Sequence, residues 1–248
     1  MSPPSPRPAC HLLISDVDDT VKITHVTSKV RAAGRGLLRN AVYAGMATLY
    51  RELAVEIVFV SGSPQSLESK LRRSLIERGG FPEARFVLRN WLRERDLTAF
   101  KRMRLQELAN NSRQSLILVG DDSEKDPEIF LELASKLPLG RVLAIYIRQN
   151  LYRPLPQGVV PFATAFELAL AELRAGRLSV ESALRVGEAT LKGSGDEGRR
   201  LFPPFFVCPE GFGDPLYRAK LEPQLHAVAN RLHELTASIF RERKNKDQ

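Results

Sequence analysis

The stretch His11-Leu12-Leu13-Ile14-Ser15, running straight into Asp16-Val17-Asp18-Asp19-Thr20, decides how this chain is understood. An apolar run of strand length stops at a carboxylate, and a second carboxylate follows two residues later. Short runs of Ile, Val and Leu without polar alternation are typical of strands buried on both faces. Four further runs share the pattern. Val55 to Val60 ends at Ser61-Gly62-Ser63-Pro64, Arg85 to Leu88 is weaker, Ser115 to Val119 ends at Gly120-Asp121-Asp122, and Val142 to Ile147 is the last. Apolar residues at helical spacing lie between them, over Gly45–Leu53, Gln65–Ile76, Leu97–Ala109, Glu128–Leu137 and Phe162–Leu173. Strands alternating with helices predict βαβ units, hence a parallel sheet with helices on both faces. Ligands of such sheets bind beyond the carboxyl ends of the strands. Three of the five runs end there in residues suited to phosphate.

The chemistry of those ends is specific. Asp16 can attack phosphorus and form an aspartyl-phosphate. Asp18, two residues on in an extended segment, points the same way and can act as general acid and base. A carboxylate attacking an anionic phosphate calls for a divalent cation, and Mg2+ suits an all-oxygen site that keeps waters. A calcium loop does not fit, because Val21 and Thr27 stand where its glycine and bidentate glutamate belong. Ser61 offers a hydroxyl to a phosphoryl oxygen. Ser63 as N-cap and Pro64 as first helical residue would open a helix whose backbone N–H groups, with Gly62, hold phosphate. Lys101 can neutralise the nucleophile and the transferring group, although Arg102 and Arg104 beside it also fit a solvated basic face. Asp121 stands where a metal ligand is needed. Asp126 is either an anchor or water ligand of that metal, or the cap of a helix beginning at Pro127.

Bulk properties narrow the alternatives. The 248 residues fit one α/β domain with an appendage, and 43% hydrophobic residues suffice for a sizeable core. A net charge of +8 favours anionic partners. Two cysteines, Cys10 and Cys208, make neither a disulfide framework nor a zinc site, and the four histidines (His11, His25, His226, His233) form no ligand pattern. The N-terminal residues lack the apolar run of a secretory signal, and no stretch is long enough to span a membrane. A cytoplasmic setting is expected. Gly193-Ser194-Gly195-Asp196-Glu197-Gly198 fits a dinucleotide fingerprint but follows a helix rather than a strand, so it is a loop. Residues 1–10 are expected to be a disordered segment, 11–175 the catalytic domain, and 176–248 a helical extension (Ser179–Lys192, Leu216–Arg241) with a basic tail.

The order of nucleophile pair, hydroxyl, lysine and acidic pair resembles the haloacid dehalogenase superfamily. That resemblance implies a Rossmann-like α/β fold and metal-dependent phosphohydrolase chemistry. About 40 residues separate Thr20 from Ser61 and about 36 separate Pro64 from Lys101, too few for a large cap. An uncapped site suits a phosphate carried on something large. Ser15 to Thr24, Gly45-Met46-Ala47, Leu49-Tyr50-Arg51, Val60 to Pro64, Phe81-Pro82, Glu124 to Ile129 and Ala144 to Arg148 together resemble the actin-patch-protein type phosphatidate phosphatases and their bacterial relatives. Phe100 before Lys101, and Asp122-Ser123, depart from that pattern. The resemblance implies Mg2+-dependent release of phosphate from phosphatidate. It assigns Asp16 and Asp18 as the catalytic pair, with Ser61 and Lys101, and places Thr20, Gly62 and Ser63 on substrate. It puts the metal on Asp16, the Asp18 carbonyl and Asp121, to which the reading of the residues adds Asp126 as anchor or water ligand. The implied partner is a lipid phosphate, with peripheral contact to an anionic membrane through Arg72, Arg73, Arg93 and Arg95 or the basic tail. Protein or nucleic-acid phosphate, and a silent lipid-phosphate binding module, are the alternatives, nucleic acid being the less favoured.

Overall fold

The computed structural model describes residues 11–24, 41–194, 200–202 and 221–246, with side chains described up to residue 241. The segment 1–10, His25, Cys208, most of the 193–198 loop and the basic tail's side chains lie outside the described residues.

Six parallel strands form one sheet in the order β3-β2-β1-β4-β5-β6. They are β1 (His11–Ser15), β2 (Glu56–Pro64), β3 (Arg85–Arg89), β4 (Ser115–Asp121), β5 (Val142–Arg148) and β6 (Val160–Phe162). The helices are α1 (Met46–Leu53), α2 (Glu68–Arg72), α3 (Leu97–Asn111), α4 (Asp126–Lys136), α5 (Ala165–Arg174), α6 (Val180–Lys192) and α7 (Pro223–Lys246). The α/β reading therefore holds.

Successive strand residues face opposite sides of the sheet, so each central strand serves two cores. Leu13, Phe59, Ile117 and Tyr146 pack against α1, α5, α6 and α7. Leu12, Ile14, Val58, Leu116 and Ile145 pack against α3 and α4 through Phe100, Leu105, Ile129 and Phe130. The helices after the sheet are not a detached appendage. Leu225, Val228, Ala229 and Leu232 of α7 join the first core. A Cβ on Gly187 of α6 would meet Val228 at 2.6 Å, so glycine is what lets the two helices approach.

Three expectations are corrected. Ser63 does not cap a helix, and Pro64 does not open one. The strand continues to Pro64, whose extended backbone (φ −67°, ψ 147°) pairs with Arg89 after a register shift, and a 3-10 turn begins at Gln65. The residues Val160–Phe162, part of which was expected to start a helix, form β6. Helix α5 starts three residues later because Thr164 and Glu167 make a capping box there. Asp126 does not cap α4 from outside. It is the first residue of α4, with Lys125 as N-cap and Pro127 next.

Strand order reverses between β1 and β4, since β1 connects outward to β2 and β3 while β4 leads to β5 and β6. The crevice beyond the carboxyl ends of such a pair is the natural ligand site of an open α/β sheet. Register sets what stands there. Ser15 pairs with Val119, and the Asp16 N–H donates to the Val119 carbonyl at 2.8 Å. Asp16 and Asp121 therefore leave adjacent strands at nearly the same level.

Candidate active site

Asp16, Asp121 and Asp126 meet at the β1 and β4 ends, each offering a carboxylate oxygen within 4.8 Å of the others. All three are buried. Lys101 reaches into this cluster from α3. Its Nζ lies 2.9 Å from Asp16 Oδ1, 2.6 Å from Asp126 Oδ1 and 3.2 Å from Glu124 Oε2. At 3% exposure Lys101 is no part of a solvated basic face. Its neighbours Arg102 and Arg104 fit that reading instead, paired with Glu132 and with Glu94 and Glu107 nearer the surface.

Thr20 is completely buried, and its hydroxyl lies 3.3 Å from Asp16 Oδ2 and 3.1 Å from Asp121 Oδ2. It ties the two carboxylates together from behind. The other Asp121 oxygen accepts from the Ser123 N–H at 2.6 Å and from the Ser123 hydroxyl. Asp18 faces the tip of β2. Its Oδ2 accepts from the Ser61 hydroxyl at 3.1 Å and the Ser63 hydroxyl at 3.3 Å. The Ser63 N–H in turn donates to Ser61 Oγ at 3.0 Å. The second Asp18 oxygen is buried without a hydrogen-bond partner among the described residues. Gly62 sits between the serines. A Cβ there would strike Leu97 at 2.7 Å, and its carbonyl accepts from the Trp91 indole at 2.8 Å.

Four carboxylates share one ammonium, and the electrostatics follow. Burial raises Asp16 well above the usual carboxylate range; Lys101 opposes the rise, and Asp126, Asp121 and Glu124 add to it. Burial pushes Asp121 up to about 8, with Asp126 adding to it. Asp126 is raised by burial against the pull of Lys101. Burial draws Lys101 down, but Asp126, Asp16, Glu124 and Asp121 outweigh it and hold the ammonium charged. Asp18 is raised by burial, opposed by Lys22 and the Ser61 hydroxyl. A buried cluster with surplus negative charge is costly unless a cation joins it. Oxygen donors at this spacing are the set a hard divalent cation takes. The residues therefore fit Mg2+.

Several site residues carry signals that pattern reasoning left without a role. Glu124 lies two residues before Asp126 and shares Lys101 with it. Lys22, between Val21 and Ile23, is 2% exposed, and its charge acts on Asp18; a lysine inside an apolar run is the visible clue. Arg148 ends the apolar run of β5 and is fully buried between the rings of Tyr43 (3.8 Å from the centroid) and Phe162 (4.8 Å). Its Nε donates to the Thr20 carbonyl at 2.8 Å, which fixes the loop after β1 from below. Asp122 accepts from the N–H groups of Asn150, Leu151 and Tyr152 at 2.7–2.9 Å, so it anchors the loop after β5. An open cleft of about 440 Å³ adjoins the cluster, lined by Leu97, Thr98, Lys101, Ser123, Lys125 and Arg153 among others.

Comparison with known proteins agrees with this arrangement. The family model described as the catalytic domain of phosphatidate phosphatase APP1 matches residues 11–149, which hold β1 to β5 and the carboxylates and lysine of the cluster. The chain is 30% identical over 151 residues to phosphatidate phosphatase APP1 of Saccharomyces cerevisiae (strain ATCC 204508 / S288c). That match covers 55% of this chain and 25% of the yeast protein, so the chain spans about a quarter of its relative's length. With more than half of its residues inside the family model, and with the carboxylates and lysine gathered at the sheet's switch point, the chain belongs to the family of phosphatidate phosphatase APP1 catalytic domains.

Proposed function

We propose that this protein is a Mg2+-dependent phosphomonoester hydrolase working through an aspartyl-phosphate, with phosphatidate or a related lipid phosphate as substrate. The observation that carries it is the contact of the buried Lys101 with Asp16, in a cluster that also holds Asp121 and Asp126.

In this reading Asp16 is the nucleophile. Lys101 on one of its oxygens and Thr20 near the other fix the carboxylate's orientation before attack. Lys101 also offsets the charge that the phosphoryl group brings. Asp16, Asp121 and the Asp18 carbonyl would hold Mg2+, with Asp126 anchoring Lys101 and the ion's water. The bound ion supplies charge neutralisation between carboxylate and phosphate. Asp18 is the acid and base. Burial raises its pKa, and one of its oxygens is buried without a hydrogen-bond partner among the described residues, which suits a carboxyl that takes up and gives a proton. It gives that proton to the leaving alkoxide, then takes one from the water that attacks the aspartyl-phosphate. Ser61 and Ser63 hold its other oxygen. Thr20, expected on substrate, is assigned to positioning because its hydroxyl is buried between two carboxylates.

The lipid substrate is supported by family membership and by the short gaps between motifs, which leave no large cap to enclose a small metabolite. The test is phosphate release from phosphatidate in mixed micelles, with Mg2+ and with chelator, beside an aryl phosphate and beside Asp16→Asn. Release that needs both Mg2+ and Asp16 is expected. Turnover of the aryl phosphate alone would remove the lipid from the proposal. Silence on both substrates would remove the phosphatase.

A further inference from the structure

The loop between β3 and α3 divides its side chains by chemistry. Its acidic residues are engaged in hydrogen bonds. Glu94 accepts from the Asn90 N–H at 2.7 Å and from Arg104 at 2.7 Å, and Asp96 caps α3 by accepting from the Ala99 N–H at 3.1 Å. The Asn90 side chain accepts from the Leu92 N–H at 3.1 Å, and its carbonyl from the Arg93 and Glu94 N–H groups at 3.1 and 2.7 Å. This bonding holds the backbone of the loop in one shape. What it presents outward is apolar and basic. Leu92 is 89% exposed and Trp91 53% exposed, with Arg93 and Arg95 exposed beside them. The Arg89 guanidinium lies 5.2 Å from the Trp91 ring centroid.

A rigid loop that holds its carboxylates and displays leucine and tryptophan to water exposes apolar surface that folding alone does not explain. Its position adds meaning. The Trp91 indole donates to the carbonyl of Gly62, and the residues on either side of Gly62 bind the Asp18 carboxylate. Leu151, 47% exposed, lies on the loop after β5, across the cleft next to Lys101. The apolar residues thus sit at the mouth of the site, on the carboxyl-end side of the sheet.

We propose that Trp91 and Leu92 form a wedge that enters the surface of an anionic lipid bilayer beside the active-site mouth, with Arg93 and Arg95 meeting the lipid headgroups. Tryptophan with a satisfied N–H settles at the bilayer–water interface. Basic side chains at that level are attracted to the negative charge of an anionic leaflet. One aromatic, one aliphatic and two arginines, against the single exposed carboxylate of Asp96 engaged at the start of α3, leave the face net basic and complement such a surface. Of the other arginines considered for this role, Arg72 is paired with Glu83 and stacked on Phe86, and Arg73 lies 3.9 Å from Glu77. Among the described residues no helix is long and apolar enough to cross a membrane, so the contact is peripheral. The inference rests on the lipid reading above and gives it a docking face.

Trp91 is the chain's only tryptophan, so its fluorescence reports this loop alone. The experiment adds vesicles of phosphatidylcholine with phosphatidylserine, which contain no phosphomonoester. Wild type, Leu92→Glu and the double variant Arg93→Glu/Arg95→Glu are compared by co-sedimentation and by emission. The wild type is expected to sediment with a blue shift. Leu92→Glu should weaken sedimentation at least about tenfold, given the apolar area lost. The arginine variant should lose the preference for phosphatidylserine, and both should keep the wild-type rate on a soluble aryl phosphate. Wild-type sedimentation without a blue shift, equal sedimentation by Leu92→Glu, or no sedimentation at all would overturn the wedge. A surface made for a protein would leave Trp91 in water on every vesicle. The two proposals fail separately. Asp16-dependent release from micelles with Trp91 indifferent to vesicles would sink the wedge alone. A Leu92-dependent blue shift without any release from phosphatidate would sink the substrate and leave the docking face standing.

Discussion

Asp16 and Asp121 stand at the tips of β1 and β4, and Asp19 and Asp122 stand close behind them, yet the two pairs differ in who satisfies their oxygens. Asp19 accepts from the Thr24 N–H at 2.9 Å, and Asp122 accepts three backbone N–H groups from residues 150–152. Those bonds stitch two loops together around the site, including Asp19 and Tyr152 at positive φ (56° and 59°). Among the described residues, the Asp16 carboxylate receives the Lys101 ammonium and a share of the Thr20 hydroxyl. A carboxylate saturated by backbone donors is a structural anchor. One left with a lysine and half a hydroxyl keeps oxygen available for an ion or for phosphorus. Asp122 and Asp16 are thus separated into collar and cluster by the local supply of N–H donors, while Asp121, whose one oxygen takes the Ser123 N–H and hydroxyl, keeps the other beside Thr20 and Asp16.

The sharpest way to break this comparison is Asp16→Asn. Activity should fall at least about 10⁴-fold, as for removal of a nucleophile. Stability of the metal-free protein should stay level or rise, because a buried charge repelled by Asp126 and Asp121 is removed. A large drop in melting temperature would place Asp16 with the collar. Asp18→Asn comes next, at about 10²- to 10⁴-fold, the usual range for a general acid. Its loss should shrink on an aryl phosphate whose leaving group needs no proton. An equal loss on both substrates would assign Asp18 a binding role instead.

On the collar side, Asp122→Asn should cost about 2–3 kcal/mol, since one oxygen facing N–H donors becomes an amide. That corresponds to a fall of roughly 4–12 °C in thermal melts of a domain this size. Turnover at low temperature should change far less than with either cluster aspartate. If activity disappears while melting is unchanged, Asp122 belongs to the cluster.

The cluster was legible in the sequence because phosphate chemistry at strand ends requires carboxylates, a hydroxyl and a lysine in a fixed order along the chain. The sheet was legible because its inner strands are nearly all apolar. The collar was not. Asp122 beside Asp121 carries no mark of its role, which depends on a loop some thirty residues later in the chain folding back onto it. Strand β6 escaped notice because three residues are too few for a pattern, and its last residue, Phe162, precedes a helix closely enough to seem part of it. Pro64 misled because its φ suits a first helical turn and an extended edge equally. The engagement of Glu94 and Asp96 in bonds within the loop, which leaves Trp91 and Leu92 facing water, is a matter of local hydrogen bonding that composition does not reveal.

The smallest expected effect separates the pairs by proton linkage. Burial raises Asp16, Asp121 and Asp126 above the ordinary value of 3.8, Asp121 to about 8. In metal-free protein the native state then binds more protons than the unfolded chain between those limits. The slope of unfolding free energy with pH is therefore negative there, and stability is lost as pH rises toward the folded pKa. The raised Lys101 value acts only above about pH 10 and does not enter. A divalent cation binds the deprotonated carboxylates, so its stabilising effect grows over the same window. With chelator, the melting temperature should fall between about pH 5.5 and 8. Mg2+ at tenfold its Kd should restore about 1.4 kcal/mol at the upper pH, roughly 3–6 °C, and much less at the lower. Asp122→Asn should keep this Mg2+ response from its lower baseline, whereas Asp16→Asn should lose most of it. A response equal at both pH values, or unchanged in Asp16→Asn, would mean that the ion binds elsewhere and that the two pairs of aspartates differ in geometry alone.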